Sequence, residues 1–276
     1  MRKRSLLTAL AFLSILLLVL SCSDNATKAK TEGDPNDPNY LQAKTATETY
    51  VDSLFGAYNF ASGYMSFDGN TPLRGSGPME PTGDSLNINF DQLTCWWEIY
   101  VSSDTNGNSL LFIDSVTFED ASGCQVLPDS TTTTQLEYRA YANFSGIADS
   151  SSVSLIARES VVLSGIQTSL VVVDGSNAAE MNLNMIADYG ETSIYYDYSG
   201  AANSVTFNEA DLDGTGDARP ISGSLDLSLA VDVTGPNGSA SVSWTMTITF
   251  LEDHYHVYAE SGENYWEWDH YYNLPL

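Results

Sequence analysis

Residues 221–250 read ISGSLDLSLAVDVTGPNGSASVSWTMTITF. Ile221, Leu225, Leu227, Leu229, Val231 and Val233 alternate with Ser222, Ser224, Asp226, Ser228 and Asp232. After Thr234-Gly-Pro-Asn-Gly-Ser239, the pattern resumes: Val242, Trp244, Met246, Ile248 and Phe250 alternate with Ser243, Thr245, Thr247 and Thr249. Successive side chains of a strand point to opposite faces, so period-two patterning defines one apolar and one hydroxyl-rich face. The Gly-Pro-Asn-Gly turn joins the two runs into a hairpin. At about 3.3 Å per residue, a strand over 221–233 spans roughly 43 Å. That is longer than strands of a compact sandwich, and it suits a curved sheet or a barrel.

The same period recurs upstream. Leu136, Tyr138, Ala140, Ala142 and Phe144 alternate with Glu137, Arg139, Tyr141, Asn143 and Ser145. Val153, Leu155, Ala157, Val161 and Leu163 continue it, broken only by Glu159, and Met181, Leu183, Met185 and Ala187 form a third run. The stretch 112–123 reads as a further hairpin, and 60–85, rich in Gly, Pro, Ser and Asp, as irregular. No helical run separates the strands, so parallel crossovers are not expected. One amphipathic helix is expected over 41–59, where Tyr50, Val51, Leu54, Phe55 and Tyr58 recur at spacings of three and four. Pro38 stands near its start. The expected fold is mainly β: long antiparallel strands in a curved sheet or barrel-like domain with one N-terminal helix. A two-sheet β-sandwich is the alternative.

The N-terminus reads differently. Arg2-Lys-Arg4 precedes an almost unbroken apolar run, Leu6 to Leu20, which is short for a membrane-spanning helix. It ends at Val19-Leu20-Ser21-Cys22. This resembles the lipobox of bacterial lipoproteins, with Val19 in place of the usual leucine. The resemblance covers about the first 25 residues. It implies cleavage before Cys22, acylation of that cysteine and anchorage in a lipid bilayer. Ser23, rather than aspartate, implies the outer membrane of the cell envelope. The expected organisation is a signal peptide over 1–21, a flexible tether over 22–40, and a single mainly-β domain over 41–276.

Charge excludes some functions. The chain of 276 residues carries 36 acidic against 10 basic side chains, a formal net charge of −26. After Lys44 there is no lysine, and only Arg74, Arg139, Arg158 and Arg219 remain. No basic patch for nucleic acid can be assembled from these. A transmembrane barrel would also show alternation, but uneven strand spacing and the acidic stretch 207–219 favour a water-exposed domain. No G-x-S-x-G, H-E-x-x-H, phosphate-binding loop or dinucleotide glycine pattern occurs, and a non-enzymatic role is expected.

Four constellations remain as candidate sites. With Cys22 acylated, Cys95 and Cys124 are expected to form one disulfide in an oxidising envelope. Asp211, Asp213, Thr215 and Asp217, with Gly214 and Gly216 between them, resemble half of a calcium loop; Ca2+ is the one candidate cofactor. His254 and His256 would share a strand face. Trp266 and Trp268, set among carboxylates, could grip a glycan if their faces were open. A greasy curved sheet could instead hold an apolar ligand, with Leu227, Leu229, Trp244 and Met246 as its expected lining. Glycan binding and calcium-stabilised assembly are the alternatives to that reading.

Overall fold

The structure is a computed structural model. It describes residues 30–48, 51, 85–105, 107–129, 131–148, 151–187, 190–208 and 219–272. Cys22, the candidate calcium residues Asp211, Asp213, Thr215 and Asp217, and the irregular stretch 60–84 lie outside them.

The chain forms strands β1 (Thr31–Glu32), β2 (Ser85–Asp91), β3 (Trp96–Thr105), β4 (Asn108–Asp120), β5 (Gly123–Gln125), β6 (Gln135–Ala148) and β7 (Ser151–Ser164). These are followed by β8 (Leu170–Ala187), β9 (Gly190–Asn208), β10 (Pro220–Gly235), β11 (Gly238–Phe250), β12 (His254–Ser261) and β13 (Asn264–Tyr271). All belong to one curved, unclosed sheet in the order β1-β13-β12-β11-β10-β9-β8-β7-β6-β4-β3-β2, with β5 on a branch beside β4. Neighbours are antiparallel except β1, which pairs parallel with β13. The topology is a meander of hairpins, as expected from a chain without crossover helices. The sandwich alternative is not adopted.

The alternation of 221–250 appears in the structure with little change. Leu225, Val231, Trp244, Ile248 and Phe250 are buried, while Asp226, Ser228, Asp232, Thr245, Thr247 and Thr249 are exposed. Leu227 pairs with Met246 and Leu229 with Trp244, so both runs put their apolar side chains on the same face. The outer face carries hydroxyls and carboxylates: Asp226 accepts hydrogen bonds from Asn203 Nδ2 and Thr247 Oγ1, each at 2.9 Å. A membrane barrel turns apolar residues outward; this sheet turns them inward.

Long strands keep one face inward only if their register is corrected where the sheet bends. β9 and β10 carry such a correction. Ser204 (φ 49°) and Gly223 (φ 102°) are both left-handed, and the β9–β10 register shifts on both sides of Ser222. The bulge changes the parity of β9. Ala202 faces inward before it, and Val205 and Phe207, 1% and 0% exposed, face inward after it. Bulges bend strands and increase local twist, which is how such a sheet curves.

The helix begins earlier than its sequence pattern implies. Residues 38–48 and Val51 are helical, with Pro38 in the first turn. Pro is well placed there because its missing N–H has no helical acceptor to find. The inward stripe is Tyr40, Ala43, Thr47 and Val51. The part of the expected helix beyond Val51 lies outside the described residues.

Residues 31–40 were expected to be tether, and they are docked instead. Thr31 and Glu32 pair with Asn264 and Tyr265, Lys30 forms an ion pair with Glu260, and Gly33 N donates to Tyr265 O at 2.9 Å. Gly33 makes this possible. A Cβ there would stand 2.1 Å from Trp266 Cε2, so only glycine lets the backbone lie on that indole. Composition made this stretch look like linker; aromatic packing at a distant position holds it.

Cys95 and Cys124 are joined in a disulfide with a Cα–Cα distance of 6.1 Å, across a sequence separation of 29. It fastens the β2–β3 turn to the short β5. In the chain-entropy view a loop of this size contributes about 3–4 kcal/mol.

Candidate ligand-binding face

The register aligns the inner face into rows that cross the sheet. One row runs Ile99, Asp114, Ala140, Glu159, Asn177, Gly200, Leu227, Met246, Ala259 and Trp266. The next row towards the β3–β4 hairpin turn runs Phe112, Ala142, Ala157, Ala179, Tyr198, Leu229 and Trp244.

The two flanks of this face differ. Over β11–β13 it is filled. The Tyr40 ring stacks on Trp266 (centroids 5.4 Å apart, planes 6°) and meets Trp268 edge-on at 5.7 Å. Trp244 packs on Trp266 from the sheet side at 5.2 Å. Thr47 Oγ1 donates to Met246 Sδ at 3.0 Å, and His270 Nδ1 lies 3.2 Å from Glu48. Trp266 and Trp268 are therefore only 5% and 8% exposed. A sugar-stacking platform needs open ring faces, and here those faces are covered by Tyr40 and Trp244. The assignment of Trp266 and Trp268 to glycan binding is corrected accordingly: they are the anchor of the helix. Met246, expected to line a pocket, lies against Thr47 of the helix, and Trp244, expected beside it, is buried against Trp266.

Over β6–β9 the inner face is built from small residues. Ala140, Ala142, Ala157 and Ala179 are only half-buried; Gly175 lies in the adjoining row opposite Val161, and Gly200 on β9 opposite Asn177. Phe112, Phe144, Leu155 and Met181 are half-buried around this strip. Large side chains wall both ends. Phe118, Leu136, Leu163 and Val173 form a fully packed row on one side, and Tyr196, Tyr198 and Val231 pack together on the other. A run of alanines between walls of aromatic and branched residues is a shallow trough. Burying an apolar molecule in it would remove that half-exposed surface from water at about 25 cal/mol per Å².

Two carboxylates stand in this trough. Asp114 is 8% exposed and accepts a hydrogen bond from Tyr138 Oη at 2.7 Å. Burial pushes its pKa up to about 6, against the opposing pull of the Tyr138 hydrogen bond and with help from the charge of Glu159. Glu159 lies two strands away across Ala140, at a backbone separation of roughly 10 Å for two strand spacings. It is open to solvent, yet desolvation raises its pKa. Both hold on a concave wall, where water reaches the side chain while protein crowds around it. Among the described residues, neither carboxylate has a basic partner. Arg139 lies over Trp96 and pairs with Glu137, Arg158 lies over Tyr141, and Arg219 over Tyr272.

The histidines do not converge. His254 pairs with Asp253, and His256 with Asp269, while His270 turns to Glu48. Among the described residues no group of three His, Cys, Asp or Glu side chains could hold a metal ion.

Asp114 and Glu159 were not singled out from sequence. Glu159 registers there only as the break in an apolar period. Asp114 occupies the inward position of Leu110, Phe112, Val116 and Phe118, an anomaly of the same kind. No family model, curated protein or solved structure matches this chain.

Proposed function

We propose that this chain is a non-enzymatic, membrane-anchored lipoprotein of the bacterial cell envelope, whose curved sheet holds an apolar ligand on its inner face. The half-exposed alanine strip of β6–β9 carries the reading. A sheet that only needed a core would fill these positions with branched or aromatic residues, as it does at Phe118, Leu136 and Leu163. The lipobox at Cys22 supplies the anchor, and the polar outer face keeps the domain in water. The buried state of Trp266 and Trp268 weighs against glycan binding.

Filling the trough tests this. Ala157→Trp places an indole between Ala142 and Ala179, its cross-strand neighbours. The neutral fluorophore N-phenyl-1-naphthylamine should brighten saturably with the native protein. The same titration of Ala157→Trp should give at least tenfold weaker binding, with unchanged far-ultraviolet dichroism. Equal binding by the two proteins would remove the trough from the account.

A further inference from the structure

We infer that the domain stands on the phospholipid bilayer by the rim of its β6–β7, β8–β9 and β10–β11 hairpins, with Ile147 and Ile186 dipping among the head groups. The inference rests on the anchorage of Cys22 proposed above and adds which surface of the domain meets the lipid.

The docked N-terminal strand fixes the direction. β1 runs parallel to β13, with Thr31 opposite Asn264, the first residue of β13. Thr31 N donates to Glu263 O at 3.0 Å. The chain before Lys30 therefore leaves at the end of the sheet where the β12–β13 turn lies. Only residues 23–29 separate Cys22 from Lys30. Even fully extended, that stretch carries Cys22 no more than about 29 Å from Lys30.

The longest hairpins turn at this same end and project past the β12–β13 turn. Thr245 lies opposite Glu260 near the end of β12, and β11 extends back from Thr245 to Gly238. At about 3.3 Å per residue, the β10–β11 tip lies roughly 20 Å beyond the β12–β13 turn. With the strands pointing at the bilayer, a fully extended tether leaves a gap of only about 10 Å.

The rim is apolar on both faces. Cross-strand register sets Ile147 in a row with Ser152, Asn184, Ser193 and Thr234, at the level where β10 enters its turn. Ile186 stands two residues nearer the tip than Asn184. On the outer face these two isoleucines are 63% and 60% exposed. The adjoining row on the inner face is Val153, Leu183, Ile194 and Val233, each half-buried. Large apolar side chains on both faces at one end of a sheet form an interaction surface, not a core. The inner face stays apolar from there through Phe144, Leu155, Met181, Tyr196 and Val231 to the alanine strip. The rim that meets the lipid is thus also the near mouth of the trough.

Charge points the same way. The β3–β4 and β10–β11 turns at this end hold no charged residue. At the opposite end, residues 208–220 hold Glu209, Asp211, Asp213 and Asp217, and the β11–β12 turn adds Glu252 and Asp253. Leu93 is exposed at that end too, but head-group phosphates repel the acids around it. Asp226 and Asp232 keep the outer face from lying flat on lipid for the same reason. A weak rim contact suffices, because the anchor holds the domain at high local concentration over the bilayer.

The test uses the acylated full mature chain in phosphatidylcholine vesicles. Cys22 is acylated and Cys95 is bonded to Cys124, so one added cysteine takes a nitrobenzoxadiazole label uniquely. Labels at Ile147→Cys and Ile186→Cys should lose at least about half their emission to lipids bearing a nitroxide near the head group. A label at Leu93→Cys should lose less than about a tenth. Adding Ile147→Asp should relieve the quenching at Ile186→Cys at least about twofold. Equal quenching at all three positions, no quenching at the two rim positions, or no relief by aspartate, in vesicles that retain the protein, would overturn the docking rim and leave the anchor standing. Acylated protein that does not float with the vesicles would overturn anchor and rim together.

Discussion

Replacing Gly223 by alanine should cost at least about 3 kcal/mol of stability, because strain and collision coincide there. Its φ of 102° is a conformation that residues with a Cβ rarely adopt. The added Cβ would stand 2.4 Å from Ser204 O and 2.6 Å from Val205 Cα. Both are backbone atoms of the neighbouring strand, so nothing can swing aside. The one escape is to dissolve the bulge, and the fold resists that. A slip of one residue would turn Val205 and Phe207 outward and leave two holes in the packed inner face. Urea denaturation should therefore show a large fall in midpoint. A loss below about 1 kcal/mol would mean that β9 and β10 tolerate another register, contrary to the packing argument.

Asp114→Asn should act in the opposite direction and stabilise the protein at pH 7. The folded-state pKa of about 6 lies above the ordinary aspartate value of 3.8. Between those values the unfolded chain releases a proton that the folded chain keeps, so stability falls as pH rises through this window. Below about 4 both states are protonated and the penalty vanishes; above about 6 it is complete. At roughly 1.4 kcal/mol per unit, the cost approaches about 3 kcal/mol at neutral pH. Asparagine removes the charge while its carbonyl can still accept from Tyr138 Oη. The variant should gain up to that amount at pH 7 and nothing at pH 4. A variant less stable than the native chain at pH 7 would show that the carboxylate's bond to Tyr138 outweighs the cost of burying its charge.

Much of the architecture was legible in the sequence because period two is a direct readout of a half-buried sheet. The hairpin of 221–250 declares both its faces and its turn. The disulfide pairing followed from counting cysteines once Cys22 was assigned to a lipid. The N-terminal boundary was less legible. Residues 31–40 are polar and rich in Gly and Pro, and what fixes them is Trp266, a residue more than two hundred positions away. The same long-range contact defeated the reading of Trp266 and Trp268. Their neighbours in sequence are carboxylates on the outer face, whereas their neighbours in space are Tyr40 and Trp244. The trough was hidden for a third reason. Alanine in an apolar alternation looks like ordinary core, and only cross-strand register reveals that Ala142, Ala157 and Ala179 stand side by side.

That adjacency is also the most direct point of attack. With alanine methyls labelled for nuclear magnetic resonance, dodecanol can be titrated into the folded domain. The account requires saturable shifts at Ala140, Ala142, Ala157 and Ala179, with Ala259 beneath the helix unmoved. Shifts scattered over the outer face, or none at the four strip methyls at saturating alcohol, would contradict it.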